Sequence, residues 1–211
     1  MSAARREILE RIRRAGAGPA DRAHEYAGIP REYRREGSLP AEARLKLFAT
    51  RLHDYGATVY RCAAAQVAAA VMQALTERRC HSLVIPHGVP GAWLPAGFEF
   101  VDDNGLSHAA LDDARGVLTG CAVAVAFTGT IFLRHGPGQA RRAITLLPDY
   151  HLCIVCAEQV VETLPEAMRR MEEFRGEPIT MISGPSATSD IEMTRVKGVH
   201  GPRTLDVVLV S

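Results

Sequence analysis

The stretch ATVYRCAAAQVAAAVMQALTERRCHSLVIP (57–86) decides the fold class. ATVYR (57–61) reads as a strand. Residues 64–79 read as a helix, with Val67, Val71 and Leu75 falling on one face. SLVIP (82–86) is a short apolar strand. Strand, helix and strand at this spacing make a βαβ unit, which predicts a parallel pair joined by a right-handed crossover. The pattern continues toward the C-terminus. CAVAVAF (121–127) is almost continuously apolar, as a strand covered on both faces would be. TGT (128–130) then turns the chain into a second strand, IFLR (131–134). HLCIVC (151–156), ITMIS (179–183) and LDVVLV (205–210) read as further strands, and LPEAMRRMEEF (164–174) as a helix. Strands alternating with helices predict an α/β fold, an open and mostly parallel sheet flanked by helices. Residues 121–127, 151–156 and 205–210 are expected as buried strands of one sheet.

Before residue 57 the organisation is looser. Residues 4–15 place Ile8, Leu9 and Ile12 at helical spacing among arginines, an amphipathic helix. Residues 16–40 are rich in Gly, Pro and Arg and have no clear period. Ser38 is expected to cap a helix whose first turn holds Pro40, whose inner face carries Leu45, Phe48 and Leu52, and which stops at Gly56. The division expected is an N-terminal helical arm and linker over 1–40 and one α/β domain over 41–211.

Bulk properties narrow the function. The 211 residues are 47% hydrophobic and 23% charged, with a formal net charge of +1, so no strong field favours nucleic acid or an anionic membrane. No run of 18 apolar residues is present, and the N-terminus lacks the apolar core of a signal peptide. Five cysteines, odd in number and scattered, point to reduced thiols in a cytoplasmic protein. Cys153 and Cys156 are spaced as CxxC, but in a strand residues three apart face opposite ways, which argues against a redox pair or a metal knuckle. No metal site and no cofactor bound by this chain is expected.

Three loops have the composition of a ligand site at sheet edges. Thr128-Gly129-Thr130 sets two hydroxyls beside a glycine, which is also what a plain hairpin turn requires. Gly184, Ser186 and Thr188 follow a strand and precede an expected short helix whose free N–H groups would accept phosphate or carboxylate. Asp190 and Glu192 bring candidate acid–base carboxylates to the same segment, although any of its polar residues also serves as a plain N-cap. His200-Gly201 enters the last strand and puts an imidazole between glycines. A small anionic ligand is expected where these loops meet, with Asp190, Glu192 and His200 the catalytic candidates.

SGPSATSDIEMTRVKGVHGPRTLDVVLV (183–210), RRAITLLPDYHLCIVCAEQVVETLPEAM (141–168) and CAVAVAFTGTIFL (121–133) together resemble the LUD family, and within it the lactate utilization protein C subgroup. The resemblance implies a sheet like that of the NagB, RpiA and coenzyme A transferase group. It also implies a part in oxidising L-lactate to pyruvate beside two partner proteins that carry the iron–sulfur clusters. One departure stands out: the family usually has a glutamate before TGT, where this chain has Phe127. The competing reading is a stand-alone enzyme acting on a phosphorylated sugar or an acyl-coenzyme A, by analogy of fold. A DNA-binding regulator is disfavoured by the near-zero charge and the lack of a helix-turn-helix.

Overall fold

A computed structural model describes residues 3–15, 26–185, 187–189, 195–197 and 200–211. The chain divides into two units, Met1–Tyr33 and Arg34–Ser211. In the first, helix α1 (Ala3–Ala15) carries the pairs Glu7–Arg11 and Glu10–Arg14 one turn apart and leaves Ile8, Leu9 and Ile12 exposed.

The second unit is built on a six-stranded sheet in which every pairing is parallel. Its strands are β1 (Thr58–Cys62), β2 (Ser82–Ile85), β3 (Glu99–Asp102), β4 (Val117–Thr119), β7 (Tyr150–Cys156) and β12 (Thr204–Val210), in the order β1-β12-β7-β4-β2-β3. The fold is therefore α/β with a mostly parallel sheet flanked by helices. The two strands of the 57–86 stretch share this sheet and direction but are not neighbours, because β12, β7 and β4 lie between them. Local spacing cannot reveal that β12, from the far end of the chain, inserts beside β1.

A second sheet has four strands, β8-β5-β6-β9: β5 (Val123–Val125), β6 (Thr130–Arg134), β8 (Val160–Val161) and β9 (Ile179–Ile182). The expectation that 121–127 joins 151–156 and 205–210 in one sheet is thus corrected. β7 and β12 pair in the large sheet, whereas the core of 121–127 forms β5 in the small one. The chain leaves β4 at Thr119 and enters β5 at Val123, and the apolar run hides the switch because both strands are buried throughout. β10 (Ala187–Ser189) and β11 (Arg195–Lys197) pair antiparallel as a separate hairpin.

The α-helices with described bounds are α1, α2 (Ala41–Asp54), α3 (Val67–Glu77), α4 (His108–Asp112) and α5 (Leu164–Met171). Alternation along β7 and β12 divides the core. Leu152, Ile154, Val208 and Val210 face α3, packing on Val67, Val71 and Leu75. Cys153, Val155, Val207 and Leu209 face the other way, toward Leu45, Phe48 and Leu52 of α2 and toward the small sheet. Helix α5 closes the far side of the small sheet with Ala167 and Met171. Thr163 caps α5, its hydroxyl accepting the Glu166 amide while Glu166 reaches back to the Thr163 amide at 2.8 Å.

Ser38 does not cap α2; Pro40 stands at that position and makes no side-chain cap. The Ser38 amide instead donates to Glu162, as does that of Leu39, each at 2.6 Å, and Arg34 pairs with the same carboxylate. The buried Glu162 thus ties residues 34–39 to the main unit. Phe48 is fully buried between α2 and the sheets. Phe48→Ala is expected to destabilise the protein by about 3–5 kcal/mol, read as a fall in the urea midpoint with an unchanged m-value.

Candidate anion cleft

The turn after β5 and the turn after β9 are brought together by register. β6 and β9 run antiparallel with Ile131 opposite Ile182, so Thr130 comes to lie beside Ser183. Their hydroxyls are 2.9 Å apart, and Thr128 bonds Thr130 at 2.7 Å. Gly129 has φ +64 and runs against the backbone of Arg51 in α2. Gly184 has φ +79, and a Cβ there would collide with Tyr55 just beyond α2. Both turns need glycine because the end of α2 is their floor.

Beside Ser183 opens a cleft of about 220 Å³. One wall is Ser183, Gly184 and Thr180, from the end of β9. The opposite wall is His200 and Gly201, which lead into β12, and the base is His151 with Arg142 and Thr145. The cleft therefore lies at the amino ends of β7 and β12 and the carboxyl end of β9. The second sheet gives this edge of the large sheet a facing wall.

The base of the cleft carries its electrostatics. His151 is buried, and its Nε2 bonds the buried Thr119 hydroxyl at 2.8 Å. Its Nδ1 is buried with no partner among the described residues. Burial first, and then the nearby Arg142 charge, push the imidazole down to a pKa of about 4. His151 is thus neutral at physiological pH and offers Nδ1 as a hydrogen-bonding atom. Arg142 is held by the Thr145 carbonyl at 3.2 Å and by the His200 carbonyl at 3.2 Å. Burial lowers its pKa as well, the sign of a guanidinium partly deprived of water. A cation, a neutral imidazole and the hydroxyls of Thr145, Thr180 and Ser183 in one concavity suit a small anion that also bears a neutral oxygen.

Of the residues singled out from sequence, Gly184, His200 and Gly201 line this cleft. Thr128, Gly129 and Thr130 do not line it; they reach it through the Thr130–Ser183 contact. Ser186, Asp190 and Glu192 fall outside the described residues, and Thr188 is described only as part of strand β10. That strand replaces the expected helix start after Ser186: alternating Ala187, Thr188 and Ser189 pair with Lys197, Val196 and Arg195 across a hairpin. Phe127 is exposed, its carbonyl accepting from Arg51 at 3.2 Å, and it does not line the cleft. Arg142, Thr145 and His151 were not found from sequence as site residues. The available signal was a histidine opening an otherwise apolar buried strand, HLCIVC.

Residues 101–210 match the family model described as LUD domain. The chain is 43% identical over 211 residues to lactate utilization protein C of Deinococcus radiodurans, covering 99% of this chain and 96% of that protein. The chain belongs to the LUD domain family. Within the family it falls in the lactate utilization protein C subgroup. A second protein of that name, from Exiguobacterium, is 27% identical over 201 residues and spans 88% of this LUD protein. The crystal structure of a DUF162 family protein from Deinococcus radiodurans superposes with a TM-score of 0.71 at 38% identity, covering 82% of this chain and 100% of that one. The LUD model spans β4 through β12, and so takes in every residue named above as lining the cleft.

The depressed pKa of His151 sets a pH signature. The unfolded chain binds the proton near the ordinary histidine value of 6.5, whereas the folded chain binds it only near 4. Stability is therefore complete above the higher value and falls as pH drops from 6.5 toward 4. His151→Gln should flatten this part of the stability–pH curve in chemical denaturation, and an unchanged slope would contradict the assignment.

Proposed function

We propose that this LUD protein is a subunit or accessory protein of an L-lactate utilization system, and that its cleft binds a small carboxylate of that system. The observation that carries the reading is the buried Nδ1 of His151, without a partner among the described residues, beside Arg142. A carboxylate would pair with the guanidinium, and a neighbouring hydroxyl or carbonyl oxygen would meet the imidazole nitrogen. The names of full-length relatives support lactate or pyruvate as the first ligands to try.

The oxidation itself is assigned to two partner proteins that hold the iron–sulfur clusters, and the chain is read as carrying no cofactor of its own. Cys153 and Cys156 support this, since one belongs to the core facing α2 and the other packs on the opposite face against the α3 side. No described helix is long and apolar enough to cross a membrane.

Deleting the gene should abolish growth on L-lactate as sole carbon source. The wild-type gene should restore it, while Arg142→Ala and His151→Leu should fail to do so at normal protein levels. Full growth with both variants would refute the role of the cleft. Co-purification from lactate-grown cells should recover two iron–sulfur proteins, and elemental analysis of the chain purified alone should give well under one iron or zinc per chain.

A further inference from the structure

A second concavity lies on the other face of the same strand ends. Tyr150 and Thr204 are register partners at the first residues of β7 and β12, one residue before His151 and Leu205. Alternation turns them toward α3. There they help to wall a hollow of about 220 Å³ that Arg78, Arg79, Arg115 and Arg203 also line. The four arginines come from three segments: the end of α3, the approach to β4 and the approach to β12.

Charge decides what the hollow can take. Arg78 is spent on the fully buried Asp206, with Nε donating to Oδ2 at 2.9 Å and Nη2 to Oδ1 at 2.6 Å. The Tyr150 hydroxyl donates to the same carboxylate at 3.0 Å. Asp206 thus accepts three hydrogen bonds, and its charge is matched by that of Arg78. Arg203 meets Asp149 at 3.3 Å, an exposed pair of the kind that contributes little. Among the described residues neither Arg79 nor Arg115 pairs with a carboxylate. The two exposed arginines that line the hollow, Arg79 and Arg115, are thus left without a carboxylate partner among the described residues.

Arg79 also breaks a local rule. Helix α3 ends with the Cys80 amide donating to the Leu75 carbonyl at 2.9 Å and the Arg79 amide to that of Thr76 at 3.1 Å. This is a Schellman cap, and its left-handed position favours glycine. Arg79 occupies it at φ 51. That backbone conformation is strained for an arginine and would not be for a glycine, and the residue that bears it lines the hollow.

We propose that this hollow is an anion site for a phosphate-bearing ligand of two or more negative charges, clamped by Arg79 and Arg115. Guanidinium forks match phosphate oxygens in pairs, and two forks from separate segments fit a phosphate or pyrophosphate group. The group is carried either by the free ion or by a nucleotide, and the site is independent of the cleft at Arg142.

Isothermal titration of the full chain with pyrophosphate and with ADP, at constant ionic strength, tests the proposal. Saturable binding is expected, weakened about tenfold in Arg79→Gly and again in Arg115→Ala, and unchanged in Arg142→Ala. Arg79→Gly should at the same time raise the melting temperature, because glycine relaxes the cap, so its lost affinity will not reflect lost folding. Tighter binding of ADP than of pyrophosphate identifies a nucleotide as the source of the phosphate, and equal binding identifies the free ion; both support the site. No saturable binding of either probe at millimolar concentration, or affinity unchanged in both Arg79→Gly and Arg115→Ala, would overturn it.

Discussion

The parallel pairing of β7 with β12 is the constraint on which the rest of the main unit depends. The two strands run side by side for seven residues in the middle of the large sheet. Because successive side chains alternate, this one register distributes the chemistry of both faces. Leu152, Ile154 and Val208 go to the α3 side, and Cys153, Val207 and Leu209 to the layer shared with α2 and the small sheet. At the amino end the same alternation turns His151 to one concavity and Tyr150 to the other. A slip of one residue would exchange them and would put the Asp206 carboxylate into an apolar layer, away from Arg78 and Tyr150. The bonds of Asp206 to Arg78 and Tyr150 therefore also pin the register.

The α/β class was legible from periodicity alone. The strands at 151–156, 179–183 and 205–210 and the helix at 164–174 lie within a few residues of the observed β7, β9, β12 and α5. Strand order was not legible. β1 and β2 look like partners because they are close in sequence, whereas three strands from later in the chain separate them. The two-sheet arrangement was hidden for a related reason: an unbroken apolar run does not record which of two buried sheets it enters. Ser38 shows the limit of cap reading. Its type suits an N-cap, yet its amide is taken by Glu162, more than a hundred residues away.

The candidate site was legible in its glycine-marked loops and illegible in its base. Gly184 and Gly201 mark turns at strand ends, and His200 stands out as an imidazole beside Gly201 that neither helix nor strand propensity explains. Arg142 looked like one arginine among many, and His151 like a member of an apolar strand. What makes them a pair is burial and proximity, which arise only when β7 lies beneath the turn after β9. The Thr128–Thr130–Ser183 chain of hydroxyls shows the same dependence, since two turns far apart in sequence meet through the register of β6 and β9.

The central claim is that His151 presents a neutral, buried Nδ1 to a small anion held by Arg142. Two-bond proton–nitrogen correlation of the ¹⁵N-labelled imidazole at about pH 6 observes that atom directly. A neutral single tautomer is predicted, with the Nδ1 resonance moving to a saturable limit as L-lactate or pyruvate is added, while Nε2, bonded to Thr119, moves less. An imidazolium pattern at that pH, or an Nδ1 resonance unmoved by either acid at millimolar concentration, would contradict the account.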